Sequence, residues 1–211
     1  MLTSFKEFIV EQKKDPTSNT LHSFDLDDTL FHHGDNLRVH VNDPNGNRVQ
    51  TLTNQEFNTH KLPNNHSYDF NEFRSSDVFG KSAHPIHKMI NKLKAIHKNN
   101  KNVELLTARS DLDDKDKFAH HMMKYGIDTS QVHVRRAGNI EGVRPAKAKA
   151  MIMSDQIDKN GYKKVHLYDD SLSNLEEFLK LKKQYTDVEF NAHHVQHNPA
   201  TGDVKVTTRK V

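Results

Sequence analysis

The sequence predicts an α/β chain built on a doubly wound, mostly parallel sheet, with a small β-hairpin-containing insertion after the first strand. Short apolar runs of strand length alternate with segments whose apolar residues recur every three or four positions. The alternation holds from Leu21 to Ala192 and is interrupted between Phe31 and Lys81. Strands joined by helices of this length need crossover connections, which are right-handed and place helices on both faces of a parallel sheet. A chain of 211 residues suffices for one well-cored domain with a modest insertion.

Taken in order, Leu2, Phe5, Phe8 and Ile9 fall at helical spacing before the polar stretch Gln12 to Asn19, which contains Pro16. Residues 1–19 therefore read as an amphipathic helix and linker ahead of a core domain at 20–211. The first strand is Leu21 to Leu26, with Asp25, Asp27 and Asp28 crowded at its C-terminal end. Within the interruption, Leu37–Val41 and Val49–Leu52 flank the turn-forming run Asn42 to Asn47, the signature of a hairpin. Residues 31–81 are thus expected to form a cap-like insertion. Doubly wound sheets bind ligands at the C-terminal ends of their strands, and the insertion leaves the first strand there, so it is expected to cover the site.

Ile86, Met89, Ile90, Leu93 and Ile96 mark a helix to about Lys98, with Pro85 in its first turn. The strand Val103–Thr107, a helix around Asp114 to Tyr125 stopped by Gly126, and a short strand at Val132–Val134 follow. A helix from Pro145 to about Asp158, the strand Val165–Tyr168, a helix from Ser171 to about Lys183 and the strand Val188–Ala192 complete the alternation. Val204-Lys205-Val206 reads as part of an edge hairpin.

Composition narrows the chemistry. Hydrophobic residues make up 34% and charged residues 28% of the chain, so apolar side chains must concentrate in the buried segments. Cysteine is absent, which excludes disulfides and thiolate metal sites and leaves carboxylate and imidazole as the strong metal ligands. No run approaches the ~18 to 20 apolar residues of a membrane span, so no membrane partner and a cytoplasmic location are expected. The formal charge of +3 permits an anionic substrate.

Polar residues converge at three strand ends: Asp25, Asp27 and Asp28; Thr107 and Arg109; Asp169 and Asp170. Several carboxylates brought together repel one another, and a hard divalent cation such as Mg²⁺ relieves the repulsion while leaving positions for substrate oxygens. A phosphate is the natural substrate for such a site. Taken alone, an acidic strand end is more often a turn or helix cap; the convergence of three in this order is the informative feature.

The run Phe24-Asp25-Leu26-Asp27-Asp28-Thr29-Leu30-Phe31 resembles the first motif of the haloacid dehalogenase superfamily, an apolar strand followed by Asp-x-Asp-x-Thr-Leu. Leu105-Leu106-Thr107 is similar to its second motif and His166-Leu167-Tyr168-Asp169-Asp170 to its fourth, in family order. The resemblance covers about residues 20 to 192 and implies a Rossmann-like core and phosphoester hydrolysis. It makes Asp25 the nucleophile that forms an aspartyl-phosphate and Asp27 the general acid/base. It places Mg²⁺ on the Asp25 carboxylate, the Asp27 backbone carbonyl and Asp169, with Asp170 adjacent. Thr107 would donate to the phosphoryl oxygens and Thr29 would join substrate binding.

The third motif is a lysine, and both Lys147 and Lys149 lie near the start of the helix before the last acidic strand. Lys149 is preferred because its separation from Asp169 resembles that of the polynucleotide phosphatase branch; adjacent helical residues diverge by ~100°, so only one is expected to face the site. Arg109, in Thr107-Ala108-Arg109, is similar to the Ser/Thr-x-Arg second motif of acid and polynucleotide phosphatases. It either grips phosphate bidentately or pairs with Asp111, Asp113 or Asp114. Arg135 and Arg136 either extend a basic wall towards a second phosphate or are solvated.

The adjacent histidines lack a helical metal-binding spacing and read as surface or structural groups, with His32 and His33 nearest the expected substrate mouth. Phe57, His60, Tyr68, Phe70, Phe73, Arg74 and Phe79 either stack on bases or form the insertion's own core. The first eleven residues resemble a capsid-targeting leader of T-even-type bacteriophages, against the simpler alternative of a docked helix; a packaged or host-cytoplasmic enzyme would follow from the leader. The expected function is Mg²⁺-dependent hydrolysis of a phosphomonoester on a nucleotide or nucleic-acid end. The alternatives are a non-catalytic virion or binding protein on the same fold and a phosphotransferase.

Overall fold

A computed structural model describes residues 18–99 and 102–211. The expected N-terminal helix and leader therefore lie outside the described residues. In chain order the elements are β1 (Thr20–Phe24), β2 (Phe31–His32), β3 (Arg38–Asn42), β4 (Arg48–Thr53), α1 (Asn54–Thr59), β5 (Ser67–Asp69), α2 (Asn71–Arg74), α3 (Ser76–Ser82) and β6 (His84–Pro85). They continue with α4 (His87–Lys98), β7 (Asn102–Thr107), α5 (Lys115–Lys124), β8 (His133–Arg136), α6 (Pro145–Asn160), β9 (Lys164–Asp169), α7 (Leu172–Lys180), β10 (Glu189–His197) and β11 (Val204–Lys210). Six strands form one sheet in the order β11-β10-β9-β1-β7-β8. Neighbours are parallel except β11, which runs antiparallel to β10 at the edge. The chain is thus α/β with a mostly parallel sheet, accompanied by small antiparallel sheets. No helix among the described residues is long and apolar enough to cross a membrane.

The alternation of side chains along each strand sorts the core into two layers. Phe24, Val103 and Leu105 cluster with Met89, Ile90 and Leu93 of α4 and with Phe118 and Met122 of α5. Leu21, Leu106, Val165, Leu167 and Phe190 cluster with Met153 and Ile157 of α6 and with Leu175 and Phe178 of α7. β1, packed between β9 and β7, is covered on both faces, with Phe24 in the first cluster and Leu21 in the second.

Three details differ from the sequence-based expectation. Pro85 does not open the following helix; it pairs with Phe31 in the β2–β6 ladder, and Ile86 is the N-cap of α4. β10 continues past Ala192 to His197 because β11 and β9 supply its hydrogen bonds whatever the side chains are. The self-contained part of the insertion is narrower than residues 31–81. Phe31 and Phe79 are buried in the main core, and the three-stranded sheet β4-β3-β5 has a small core of its own in Val39, Val41 and Leu52.

That small core also uses the aromatics. Phe57 meets Tyr68 edge-on at 5.0 Å and Phe70 at 5.3 Å, and Phe70 meets Phe73 at 6.2 Å. Tyr68 Oη lies 2.9 Å from His60 Nδ1. These rings are spent mainly on each other, as in the simpler of the two expectations, although Phe70 stays 39% exposed.

Beneath α4, three neighbouring strands contribute a column of stacked rings. His22 lies on His166 (centroids 4.2 Å apart, planes 11° apart), and Tyr168 lies on His193 (4.1 Å, 8°). His166 Nδ1 is 2.9 Å from His193 Nε2, and His193 Nδ1 is 2.8 Å from Thr208 Oγ1. Burial, helped by nearby lysines, pushes His166 down to about 4 and His193 down to about 3. Both are neutral in the fold, whereas unfolded histidine protonates near pH ~6.5. Between about pH 6.5 and 4 the unfolded chain holds more protons, so stability is lost as pH falls through that window. Discounted for partial solvent screening, the pair should contribute about 1 to 3 kcal/mol of this loss. His193→Gln should flatten the fall of Tm between about pH 7 and 4.5; an unchanged slope would refute the assignment.

Candidate active site

Because β7, β1 and β9 are parallel neighbours, Thr107, Asp25 and Asp169 arrive together at the C-terminal ends of the strands. The Asp25 N–H extends the ladder by donating to Tyr168 O at 2.9 Å. The chain then turns sharply: Leu30 and Phe31 N–H both donate to Leu26 O (3.0 and 2.9 Å), and Asp28 N–H donates to Phe31 O (2.6 Å). Asp28 takes the left-handed conformation at φ 56°, which aspartate tolerates better than most residues. The turn keeps Asp25, Asp27 and Asp28 together at the strand end.

Asp25, Asp169 and Asp170 each offer a carboxylate oxygen within 4.8 Å of the others. Lys149, 1% exposed on α6, reaches between two of them: its Nζ donates to Asp25 Oδ1 at 2.6 Å and to Asp169 Oδ2 at 2.7 Å. Lys147 is exposed. Of the two candidates, it is Lys149 that the helix turns inward. Asp169 is further fixed by Asn174 Nδ2 (2.9 and 3.1 Å) and by the Ser171 N–H (2.9 Å).

Charge in this cluster is unbalanced. Burial raises the Asp25 carboxyl; Lys149 pulls it down, while Asp169 and Asp27 push it further up. Asp170 is raised well above its ordinary value by burial and by Asp169, Asp25 and Asp28. Burial opposes the charge on Lys149, but Asp169 and Asp25 outweigh it and hold the ammonium firmly protonated. One lysine faces three carboxylates. The remaining deficit of positive charge, among hard oxygen donors, suits a cation that prefers carboxylate ligands.

The Asp27 side chain points elsewhere. Arg109, 2% exposed, clasps it through Nε (2.9 Å to Oδ2) and Nη2 (2.7 Å to Oδ1), and His33 Nε2 lies 2.8 Å from Oδ1. Burial works to raise the Asp27 carboxyl, but Arg109 and His33 together hold it well below the usual carboxylate range. Arg109 therefore pairs with none of Asp111, Asp113 and Asp114, the partners considered from sequence. It takes Asp27 instead. Its Nη1 donates to Phe73 O at 2.7 Å, and its guanidinium lies over the rings of Phe73 and Phe79 at 5.1 and 5.2 Å. The insertion is thus bound to the site through Arg109.

Thr107 is fully buried and its Oγ1 accepts from the Arg109 N–H at 3.1 Å. Thr29 is also buried, and its Oγ1 has no hydrogen-bond partner among the described residues. Neither Arg135 nor Arg136 forms a basic wall: Arg135 pairs with Glu104 and Gln156, and Arg136 with Asp111. Behind the Arg109 loop, Gly138 leaves no room for a side chain. A Cβ there would come within 2.5 Å of Ala108 O and Ser110 N, so the glycine permits the close approach of the two backbones.

Sequence reasoning missed Asn174 and Ser82. Asn174 had a detectable signal, a polar residue on the otherwise apolar face of a helix that follows an acidic strand end. His33 stood only as a group near the mouth, and nothing local connects it to Ser82, whose Oγ lies 2.8 Å from its Nδ1.

No family model, curated protein or solved structure matches the chain.

Proposed function

We propose that the protein is a Mg²⁺-dependent phosphomonoester hydrolase of the haloacid dehalogenase type that works through an aspartyl-phosphate on Asp25. The observation that carries this is Lys149 bridging Asp25 and Asp169 beside Asp170, at the strand ends of a parallel sheet. Strand order and connectivity are compatible with the Rossmann-like core that the motifs imply. The cation would be held by Asp25, Asp169 and Asp170, with the Asp27 backbone carbonyl as a further ligand. When bound, it would offset the negative charge of substrate and carboxylates.

An Asp25 carboxylate oxygen attacks phosphorus as the bond to the leaving oxygen breaks, and Asp27 gives that oxygen a proton. Water then attacks the aspartyl-phosphate, passing its proton to Asp27; the bond to Asp25 breaks and phosphate leaves. Lys149 and the Thr107 hydroxyl stabilise the charge that develops on the phosphoryl oxygens. Asp27 held by Arg109 is ionised, the form that accepts a proton from water. To donate one, it must first lose that guanidinium, which an incoming phosphate would draw away, and take up a proton from solvent or from the substrate's phosphate monoanion. A nucleotide or nucleic-acid end is the favoured substrate, with exposed Phe70 on the insertion as its stacking partner.

The test is phosphate release from 3′- and 5′-phosphorylated oligonucleotides, mononucleotides and a small aryl phosphate. Activity should require Mg²⁺, vanish in excess chelator and return when Mg²⁺ is restored. Turnover persisting in chelator would contradict the metal assignment, and no turnover of any phosphoester would contradict the reaction.

A further inference from the structure

We infer that His33 is a positioning residue for Asp27 and that Ser82 orients His33; the inference rests on the phosphatase reading of the same site. His33 is 4% exposed and Ser82 2% exposed. The imidazole is held at both nitrogens, Nε2 at 2.8 Å from Asp27 Oδ1 and Nδ1 at 2.8 Å from Ser82 Oγ, with its ring against Phe79 at 5.5 Å. It cannot rotate without giving up both partners. A neutral ring satisfies the geometry in one tautomer: Nε2–H donates to Asp27, and Nδ1 accepts from the serine hydroxyl.

The two groups that hold Asp27 differ in what substrate does to them. Arg109 is the natural grip for an incoming phosphate, so its hold on Asp27 competes with substrate. His33 has no such competing duty. Asp27 Oδ1 receives both His33 and Arg109 Nη2, whereas Oδ2 accepts Arg109 Nε. Once Arg109 turns to phosphate, Oδ2 is released for the leaving oxygen or the water, and His33 still anchors Oδ1. A general acid gains its effect from fixed placement against the leaving oxygen, and here that placement depends on a residue just before the three-stranded sheet and another at the C-terminal end of α3.

The experiment uses the full chain with Mg²⁺ and a series of aryl phosphates from phenyl to dinitrophenyl phosphate. A weakly acidic phenol needs a proton to leave; a strongly acidic one does not. His33→Ala should therefore lower kcat/KM for phenyl phosphate about ten- to a hundredfold, but for dinitrophenyl phosphate by a much smaller factor. His33→Gln, whose amide can still donate to Asp27, should recover most of the loss. Ser82→Ala should show the same dependence on leaving group at lower amplitude, and it stands in if the alanine at 33 does not fold. A loss that is uniform across the series, or no loss, in folded variants would overturn the positioning role while leaving the phosphatase reading intact. Failure of the unaltered protein to release phosphate from any member would overturn both.

Discussion

Asp25→Asn is expected to abolish phosphate release, by about a thousandfold or more, while the fold is kept. Each factor of ten corresponds to about 1.4 kcal/mol of barrier, so the expected loss exceeds about 4 kcal/mol. An amide matches the carboxylate in shape but is a poor nucleophile. The effect on stability should have the opposite sign. Burial raises the Asp25 carboxyl above its unfolded value, so folding is penalised as pH rises from the unfolded pKa towards the folded one. A neutral amide removes that penalty and leaves Lys149 paired with Asp169. Tm near neutral pH, without added metal, should therefore be unchanged or higher. A large drop in Tm would mean that the loss of turnover reports unfolding rather than a missing nucleophile.

Lys149→Ala should have the second largest effect, and it should reach both activity and stability. It removes the cation from between Asp25 and Asp169, leaving buried carboxylates facing one another. Breaking a buried pair in this way typically costs about 3 to 5 kcal/mol. Buried carboxylates without their cation are penalised where they are ionised, so the loss is present at neutral pH and shrinks on acidification. Tm should accordingly fall most near neutral pH, and added Mg²⁺ should restore part of it. Turnover should drop about a hundredfold or more, since a preorganised charge at the phosphoryl oxygens is lost. Lys147→Ala should be close to the unaltered protein in both respects. The reverse order of effects would make Lys147 the lysine that serves the site.

Much of the architecture was legible because it follows from periodicity. Apolar runs such as Leu105-Leu106 and the spacing of Met89, Ile90 and Leu93 report which faces are buried, and a parallel sheet buries nearly all of its strands. Polar segments were harder. His193 and His194 obscured the second half of β10, whose pairing comes from backbone groups. Pro85 fits a helical first turn and an edge bridge equally well, since both tolerate a missing N–H.

The carboxylate cluster was legible for a different reason. Asp25, Asp169 and Lys149 meet because β1 and β9 are neighbours and α6 leads into β9; the signal in the sequence was the polar residues at three strand ends, not the strand order itself. The partner of Arg109 was not legible. Asp27 is 82 positions away, and the near neighbours Asp111, Asp113 and Asp114 are equally acidic. Only the fold of the turn after β1 decides among them, as it does for His33 and Ser82, brought together across 49 positions.

Phosphate is proposed to pass through Asp25. Acid quenching during turnover, followed by peptide mass spectrometry, tests it most directly. The mass of one phosphoryl group is expected on the peptide containing Asp25, labile to hydroxylamine, dependent on Mg²⁺ and absent from Asp25→Asn. A phosphoryl group on any other residue, or rapid turnover with label from ¹⁸O-water entering phosphate and no acyl-phosphate at any quench time, would contradict the account.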